Sequence, residues 1–151
     1  MRNIKSEIIG SLLILLFAYT AFQKYMEHDT FLWTLERSTL LHSLATPLSW
    51  MVPATELAVV CLLIFPSLRR IGLLCSVVLL TTFTLYIIYM LLFTPNLPCS
   101  CGGIVSYLSW KQHLVFNTIF LLLALYGWYS MRNTHTTDKN IAIRRSRTPV
   151  I

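Results

Sequence analysis

Four long apolar stretches divide the chain, and each is about as long as a membrane span. They cover the residues between Glu7 and Lys24, Leu48 to Leu68, Ile71 to Phe93, and His113 to Met131. A helix needs roughly 20 apolar residues to cross a bilayer. The pattern therefore predicts an all-α membrane protein, a four-helix transmembrane bundle. A cleaved signal peptide is the alternative for the first stretch, but its apolar run is long and no clear cleavage site follows.

The turn between the second and third stretches is short. Pro66 and Ser67 are turn-forming residues, and the third stretch begins straight after Arg69 and Arg70. Two helices joined by so few residues lie antiparallel side by side. The second and third spans are thus predicted to form a tight hairpin.

Composition and charge agree with a membrane class. The mean hydropathy is +0.65, and the 151 residues include 12 Lys and Arg and 6 Asp and Glu. The basic residues lie at span ends and in the tail, not on a polar face with interleaved aromatics, so a nucleic-acid binder is excluded. Four spans leave no room for a soluble catalytic domain.

The basic side chains are divided unequally between the two sides of the predicted bundle. Three lie on one side (Lys24, Arg37, Lys111) and nine on the other (Arg2, Lys5, Arg69, Arg70, Arg132, Lys139, Arg144, Arg145, Arg147). The basic side of a membrane protein normally faces the cytoplasm. We therefore expect a multi-pass protein of the bacterial inner membrane, with both termini cytoplasmic and residues 25–47 and 94–112 on the periplasmic side.

Two segments outside the predicted spans lie between the first two spans and after the fourth. Residues 29–47 are predicted to form an interfacial helix, with an irregular loop as the alternative. Its lipid-facing side chains would be Phe31, Leu32, Leu35, Leu41 and Leu44, and its water-facing ones Glu36, Arg37 and His42. Residues 132–151 are polar and basic with little to bury, so we expect a transmembrane domain over residues 1–131 and a disordered cytoplasmic tail.

Cys99 and Cys101 lie in a periplasmic loop rich in turn-forming residues. Pro98 restricts the chain before the pair, and Gly102 and Gly103 permit sharp turns after it. A disulfide across one intervening residue needs a turn and is strained, which favours exchange chemistry. The alternatives are a small structural staple, or a metal site completed by His113, for which no fourth ligand is evident.

A second group of polar residues falls inside the spans. Glu56 lies roughly 10 Å below the outer surface by helical rise, and an intramembrane carboxylate usually faces the bundle interior or a wet cavity. His113 and Asn117 share a helix face at similar depth, and Tyr86 and Tyr89 reach the same layer. A pocket lined by these residues is predicted beneath the cysteine loop, with simple hydrogen-bonded packing between helices as the alternative.

The remaining cysteines and histidines are interpreted more simply. Cys61 and Cys75 lie at matching depth near the cytoplasmic turn, where buried cysteines commonly pack as small apolar side chains. His28, His42 and His135 are interpreted as surface residues.

The segment P-C-S-C-G-G from Pro98 to Gly103, the W-x-x-H-L-x-F-N pattern from Trp110 to Asn117 and the Pro53-x-x-Glu56 start of the second span resemble the MauE/DoxX-like family of redox-associated membrane proteins. The resemblance covers residues 5 to 131. It implies a four-helix bundle associated with periplasmic thiol and disulfide chemistry. Disulfide-generating enzymes of the same four-helix plan use C-x-x-C and a second outer cysteine pair, so the C-x-C of this chain argues against self-contained quinone-coupled catalysis.

These observations predict a membrane-embedded thiol–disulfide redox partner. Cys99 or Cys101 would exchange with a periplasmic thioredoxin-like or substrate protein, and a quinone headgroup, if one is the electron acceptor, would lie near Glu56 and His113. The alternatives are a non-catalytic structural or assembly subunit of a larger membrane complex, and a small-molecule or metal carrier.

Overall fold

The chain folds into a helical bundle. The computed structural model describes residues 4–38, 40–93 and 110–147. Its helices are α1 (Ile4–Met26), α2 (His28–Glu36), α3 (Ala45–Ile64), α4 (Arg69–Phe93) and α5 (Trp110–Arg147), with a single 3-10 turn at His42–Leu44. Four segments are long and apolar enough to cross a membrane: Ser6–Met26, His42–Ile64, Arg69–Phe93 and Lys111–Met131. The predicted fold class, a four-helix membrane bundle with a short helix between spans one and two, is confirmed.

The four long helices close into a ring. Helix α1 packs against α3, α3 against α4, α4 against α5, and α5 returns to α1, while α2 lies on α3. Successive spans are antiparallel, so the bundle has two unlike ends. We call the end with α2, the last turn of α4 and the first turn of α5 the α2 end, and the end with the α3–α4 turn the hairpin end.

Each long helix buries one stripe and exposes apolar side chains on its other side. In α1 the buried side chains recur every three or four residues, at Ser6, Ile9, Leu13, Phe17 and Ala21. In α3 the corresponding stripe includes Ala45, Ser49, Pro53, Glu56, Val59, Val60 and Leu63. The exposed faces carry large apolar residues, which a soluble helix would bury. The bundle surface is thus suited to contact with a lipid bilayer.

Helix α3 starts and ends earlier than the apolar pattern predicts. It begins at Ala45, which places Pro47 in the first turn. A proline is tolerated there because the N–H that it lacks would have no helical partner. It ends at Ile64, and Phe65 adopts an extended conformation. The residue before a proline avoids the helical region, and Pro66 follows Phe65 directly.

The hairpin end is packed closely at two glycines. A Cβ on Gly72 would lie 3.0 Å from backbone atoms of Leu62 and Leu63, and one on Gly127 would lie 3.1 Å from the Ile9 side chain. Small residues allow such close approach between helices in membranes. Without a side chain at Gly72, α4 lies directly on the backbone of α3.

An ion pair also joins helices at the hairpin end. Arg69 Nη1 lies 3.5 Å from Glu7 Oε1, which connects α4 to α1. Arg69 Nε donates a hydrogen bond of 3.3 Å to the carbonyl oxygen of Leu63. The last turn of a helix has carbonyl groups without helical partners, so Arg69 caps α3 while it holds α1.

Helix α2 turns a different face to the bundle than its sequence predicts. Thr34 and Leu35 are its buried residues, and Leu35 is only 4% exposed. The expectation that Leu35 faces lipid is wrong, because the contact with α3 decides which side of this short helix is covered.

Helix α5 extends beyond its membrane span. Its backbone remains helical to Arg147, whereas the composition after Arg132 predicts a disordered tail. The division of the chain into a membrane domain and a tail stays a prediction.

Candidate functional site

A buried ion pair lies inside the half of the bundle nearest the α2 end. Lys24 Nζ of α1 donates a hydrogen bond of 2.7 Å to Glu56 Oε1 of α3. Glu56 is 1% exposed, while the side chain of Lys24 is 21% exposed. Removing two charges from water is costly, and their mutual attraction offsets this cost only when the geometry is good. The short distance meets that condition.

Each partner is placed by the buried stripe of its own helix. Lys24 follows Ala21 by three residues and therefore continues the face of α1 that packs against α3. Glu56 follows the buried Pro53 by three residues on the facing side of α3. The side chain of Lys24 therefore begins on a packed face of α1.

Glu56 lies farther from the start of its helix than the predicted span places it. Because α3 begins at Ala45, Glu56 is about 16 Å along the helix from its start, rather than about 10 Å. Thr20 of α1 is a further polar side chain beside the Glu56 carboxyl group. The carboxylate is therefore enclosed between α1 and α3.

The other elements of the bundle converge on the Lys24 ammonium group. Its nitrogen lies 5.9 Å from the ring centre of Phe31 in α2 and 5.6 Å from that of Phe83 in α4. Aromatic faces attract a cation at such distances. The half-buried imidazole of His113 in α5 lies within electrostatic range of the Lys24 ammonium group. We call Lys24, Glu56 and His113 the charged cluster.

Asn117 lies one turn below His113 and is bonded to a neighbouring helix. Its amide nitrogen donates to the Thr84 hydroxyl at 2.9 Å and to the Leu80 carbonyl at 3.2 Å, both in α4. Serine and threonine in membrane helices often bond the carbonyl four residues back, and Thr84 does so with Leu80 at 2.7 Å. The three residues form a polar connection between α4 and α5.

The structure brings together part of the predicted pocket lining. Glu56 is bound to the Lys24 ammonium group and His113 lies within electrostatic range of it, whereas the amide nitrogen of Asn117 is committed to α4. Tyr89 stacks on Phe93 with ring centres 5.1 Å apart, and the Tyr86 hydroxyl is buried. A single pocket shared by all of these residues stays a prediction.

Lys24 is the site residue that sequence reasoning missed. A signal for it existed, because a carboxylate within a span pairs with a cation where one is available. Lys24 ends the neighbouring span at the same side of the membrane, so its four-carbon side chain was the nearest candidate partner.

His28 is more buried than the sequence predicts. Its Nε2 lies 3.1 Å from the Ser49 hydroxyl, and its ring centre lies 4.3 Å from that of Trp50. Because Ser49 donates its own proton to the Thr46 carbonyl at 2.7 Å, the histidine nitrogen is the donor in this contact. His28 thus joins α2 to the start of α3, while His42 is exposed as expected.

The cysteines fall into two groups. Cys99 and Cys101 lie outside the described residues, but Phe93 and Trp110, which bound the described helices on either side of them, are both at the α2 end. Cys61 and Cys75 are free thiols, the first exposed on α3 and the second partly buried against the apolar core. Within the part of the chain that the structure describes, no group of three or more His, Cys, Asp and Glu side chains is arranged to hold a metal ion.

Comparison with known families agrees with this architecture. The family model for the methylamine utilisation protein MauE matches residues 2–130. The chain belongs to the MauE family. No curated protein and no solved structure shows significant similarity to it.

Membership of the MauE family confirms the main part of the resemblance noted in the sequence. The match includes all four spans, the charged cluster and the segment that carries Cys99 and Cys101, and it ends before the basic tail. The DoxX part of that resemblance stays an expectation. This MauE-family protein is therefore a multi-pass membrane protein of a family associated with methylamine utilisation.

Proposed function

We propose that this MauE-family protein is a membrane-embedded thiol–disulfide redox partner that supports the oxidation or maturation of extracytoplasmic proteins. Cys99 and Cys101 are the reacting pair. The observation that carries the proposal is that the helix ends flanking the cysteine segment and the charged cluster belong to the same end of the bundle. The reacting cysteines would then lie at the same end of the bundle as the charged cluster.

The proposed orientation places the α2 end in the periplasm. Its support is the nine-to-three distribution of Lys and Arg, which puts the hairpin end and both termini in the cytoplasm of a bacterium. An oxidising periplasm is also where a cysteine pair can persist as a disulfide. The inner membrane is thus the proposed location.

The proposed reaction is an exchange through a mixed disulfide. A thiolate of the partner protein attacks one sulfur of the Cys99–Cys101 disulfide, and the other sulfur leaves as a thiolate. A second partner thiol then resolves the mixed disulfide, so the partner gains a disulfide while Cys99 and Cys101 accept two electrons and two protons. The reverse direction uses the same steps. A periplasmic thioredoxin-like or substrate protein is the proposed partner.

A quinone headgroup does not fit at Glu56 in the described arrangement. The carboxyl group is 1% exposed, and its Oε1 is bound to Lys24. It therefore presents no surface to a ring of that size. The exchange between dithiol and disulfide is balanced without a quinone.

A structural or assembly subunit of a larger membrane complex is the second candidate. It is favoured by the bonds of Asn117, since both run to the neighbouring helix α4. Polar groups of this kind commonly hold membrane helices together without a chemical role.

Trapping of the partner tests the proposal. Cys99→Ala and Cys101→Ala variants, captured from membranes under non-reducing conditions, should retain a partner through a covalent bond that dithiothreitol releases. Cys61→Ala keeps the outer pair and serves as the matched control, in which the resolving cysteine should release the partner. A partner retained equally by all three variants and insensitive to reductant would support the assembly subunit and overturn exchange.

Labelling tests the orientation separately. An impermeant thiol reagent applied to reduced, intact spheroplasts should label Cys99 and Cys101. Variants without these two cysteines should remain unlabelled until the membrane is opened. If variants without Cys99 and Cys101 are labelled in intact spheroplasts, the proposed topology is wrong and the hairpin end faces outward.

A further inference from the structure

Two interhelical ion pairs within the described part of the chain differ in chemistry. At the hairpin end, Arg69 and Glu7 are 3.5 Å apart, and Glu7 is 30% exposed. A guanidinium group does not give up its proton in proteins, so that pair stays ionic. At the other pair, Lys24 is 2.7 Å from a carboxylate that is 1% exposed. An ammonium group can transfer its proton, so this pair can also exist as a neutral amine and a neutral acid.

The enclosure of Glu56 limits which species can reach it. The carboxyl group is covered by Thr20 and Lys24 of α1, and the rings of Phe31 and Phe83 flank the ammonium group. An exposure of 1% leaves no surface for a ligand atom. A proton moves along an existing hydrogen bond and needs no such surface. Exchange at Glu56 is therefore exchange of protons.

Burial decreases stepwise from Glu56 toward the α2 end. Glu56 is fully enclosed, the side chain of Lys24 is 21% exposed, and His113 is half-buried about 5 Å along α5 from its first residue. Histidine is the side chain that most readily exchanges protons near neutral pH. Among the described side chains around the pair, α2 and α4 contribute the uncharged Phe31 and Phe83.

We propose that Lys24 and Glu56 form an intramembrane proton-exchange site that opens to the α2 end through His113. The Lys24 proton moves to Glu56 Oε1 along the 2.7 Å hydrogen bond, which leaves a neutral amine and a neutral acid. His113 takes a proton from water at the α2 end and relays it to the amine, whose side chain is 21% exposed. The net result is one proton moved from the α2 end to Glu56. This proposal stands whether or not the cysteines exchange.

Infrared difference spectroscopy on the full chain in phosphatidylcholine vesicles tests the site. A rapid drop in pH should produce the carbonyl band of a neutral, buried carboxylic acid, and this band should be lost in Glu56→Gln. Glu7→Gln, at the arginine pair, is the matched control and should leave the band unchanged. A band that persists in Glu56→Gln, or no band in the unsubstituted protein at any pH where it is folded, overturns the proposal.

The rate at which the band appears tests the route. Lys24→Arg keeps a cation beside Glu56 but holds its proton, and His113→Asn removes the outer relay group. Each should slow the appearance more than about tenfold, since a positioned proton-transfer group typically contributes about 10²–10⁴-fold. An unchanged final amplitude in His113→Asn, and unchanged helicity by circular dichroism in Lys24→Arg, show that these variants are still folded. Unchanged rates in both variants would overturn the route through Lys24 and His113, and a variant that fails to fold leaves the other to decide.

Discussion

Removal of Lys24 should destabilise the bundle more than neutralisation of its partner. In Lys24→Met, the 1%-exposed Glu56 carboxylate loses the ammonium group that lies 2.7 Å away. Leaving a buried charge without its partner costs about 3–5 kcal/mol. Protonation of Glu56 limits this cost, so we expect about 3 kcal/mol at neutral pH. The loss should shrink in acid, because a protonated carboxyl group carries no charge.

Glu56→Gln should destabilise the bundle less than Lys24→Met does, because the remaining partner is better accommodated. The amide oxygen can still accept a hydrogen bond, and Lys24 keeps contact with water through its 21%-exposed side chain. The expected cost is about 1.5–2 kcal/mol, at the low end of the range for one hydrogen bond to a charged group. In the double variant no charge remains, so it should be more stable than Lys24→Met alone.

Equilibrium unfolding in detergent micelles, followed by circular dichroism for the four proteins of this cycle, measures the coupling. We expect a coupling of about 2 kcal/mol, within the range for residues in contact. Glu7→Gln at the Arg69 pair is the comparison, and its greater exposure of 30% should keep its cost near 1 kcal/mol or below. Additivity within about 0.5 kcal/mol would refute the buried pair.

Three further outcomes are expected. Gly72→Ala should destabilise by about 1–3 kcal/mol because its Cβ meets the α3 backbone at 3.0 Å, whereas Gly10→Ala, with its nearest neighbour at 3.7 Å, should be close to neutral in the same unfolding assay. Asn117→Ala should cost about 0.6–1.7 kcal/mol, the usual range for hydrogen bonds between membrane helices; a neutral result would contradict its bonding role. Titration of Cys99 and Cys101 in graded thiol buffers should give a potential of about −120 to −180 mV, and one below about −300 mV would identify a structural staple.

The spans were predictable because each is decided by local composition. The lengths of the apolar runs and the turn at Pro66 specify the hairpin without knowledge of any other helix. Glu56 and His113 were placed near one layer by counting residues from the outer ends of their spans. Counting gives the level of a residue along its helix because helical rise is regular, but it underestimates the distance from the start of α3 to Glu56, since that helix begins at Ala45 and not at Leu48.

What the sequence did not reveal are the side-chain partners. Hydropathy locates Lys24 at a span end, but only the packing of α1 on α3 decides that it points inward to Glu56. For the same reason the sequence predicts the wrong surroundings for His28 and Leu35, since the face of α2 that is covered depends on where α3 lies. These contacts join residues distant in sequence, and no local pattern encodes them.

The glycine contacts at the hairpin end have a mechanical consequence. Gly72 brings the backbones of α3 and α4 together with no intervening side chain, and Gly127 lets the Ile9 side chain of α1 pack closely onto the backbone of α5. Helices in backbone contact have little freedom to separate, whereas long side chains such as Lys24 can lengthen or rotate. Any opening of the bundle should therefore hinge near Gly72 and Gly127 at the hairpin end. The largest displacement of the helices is then expected at the α2 end.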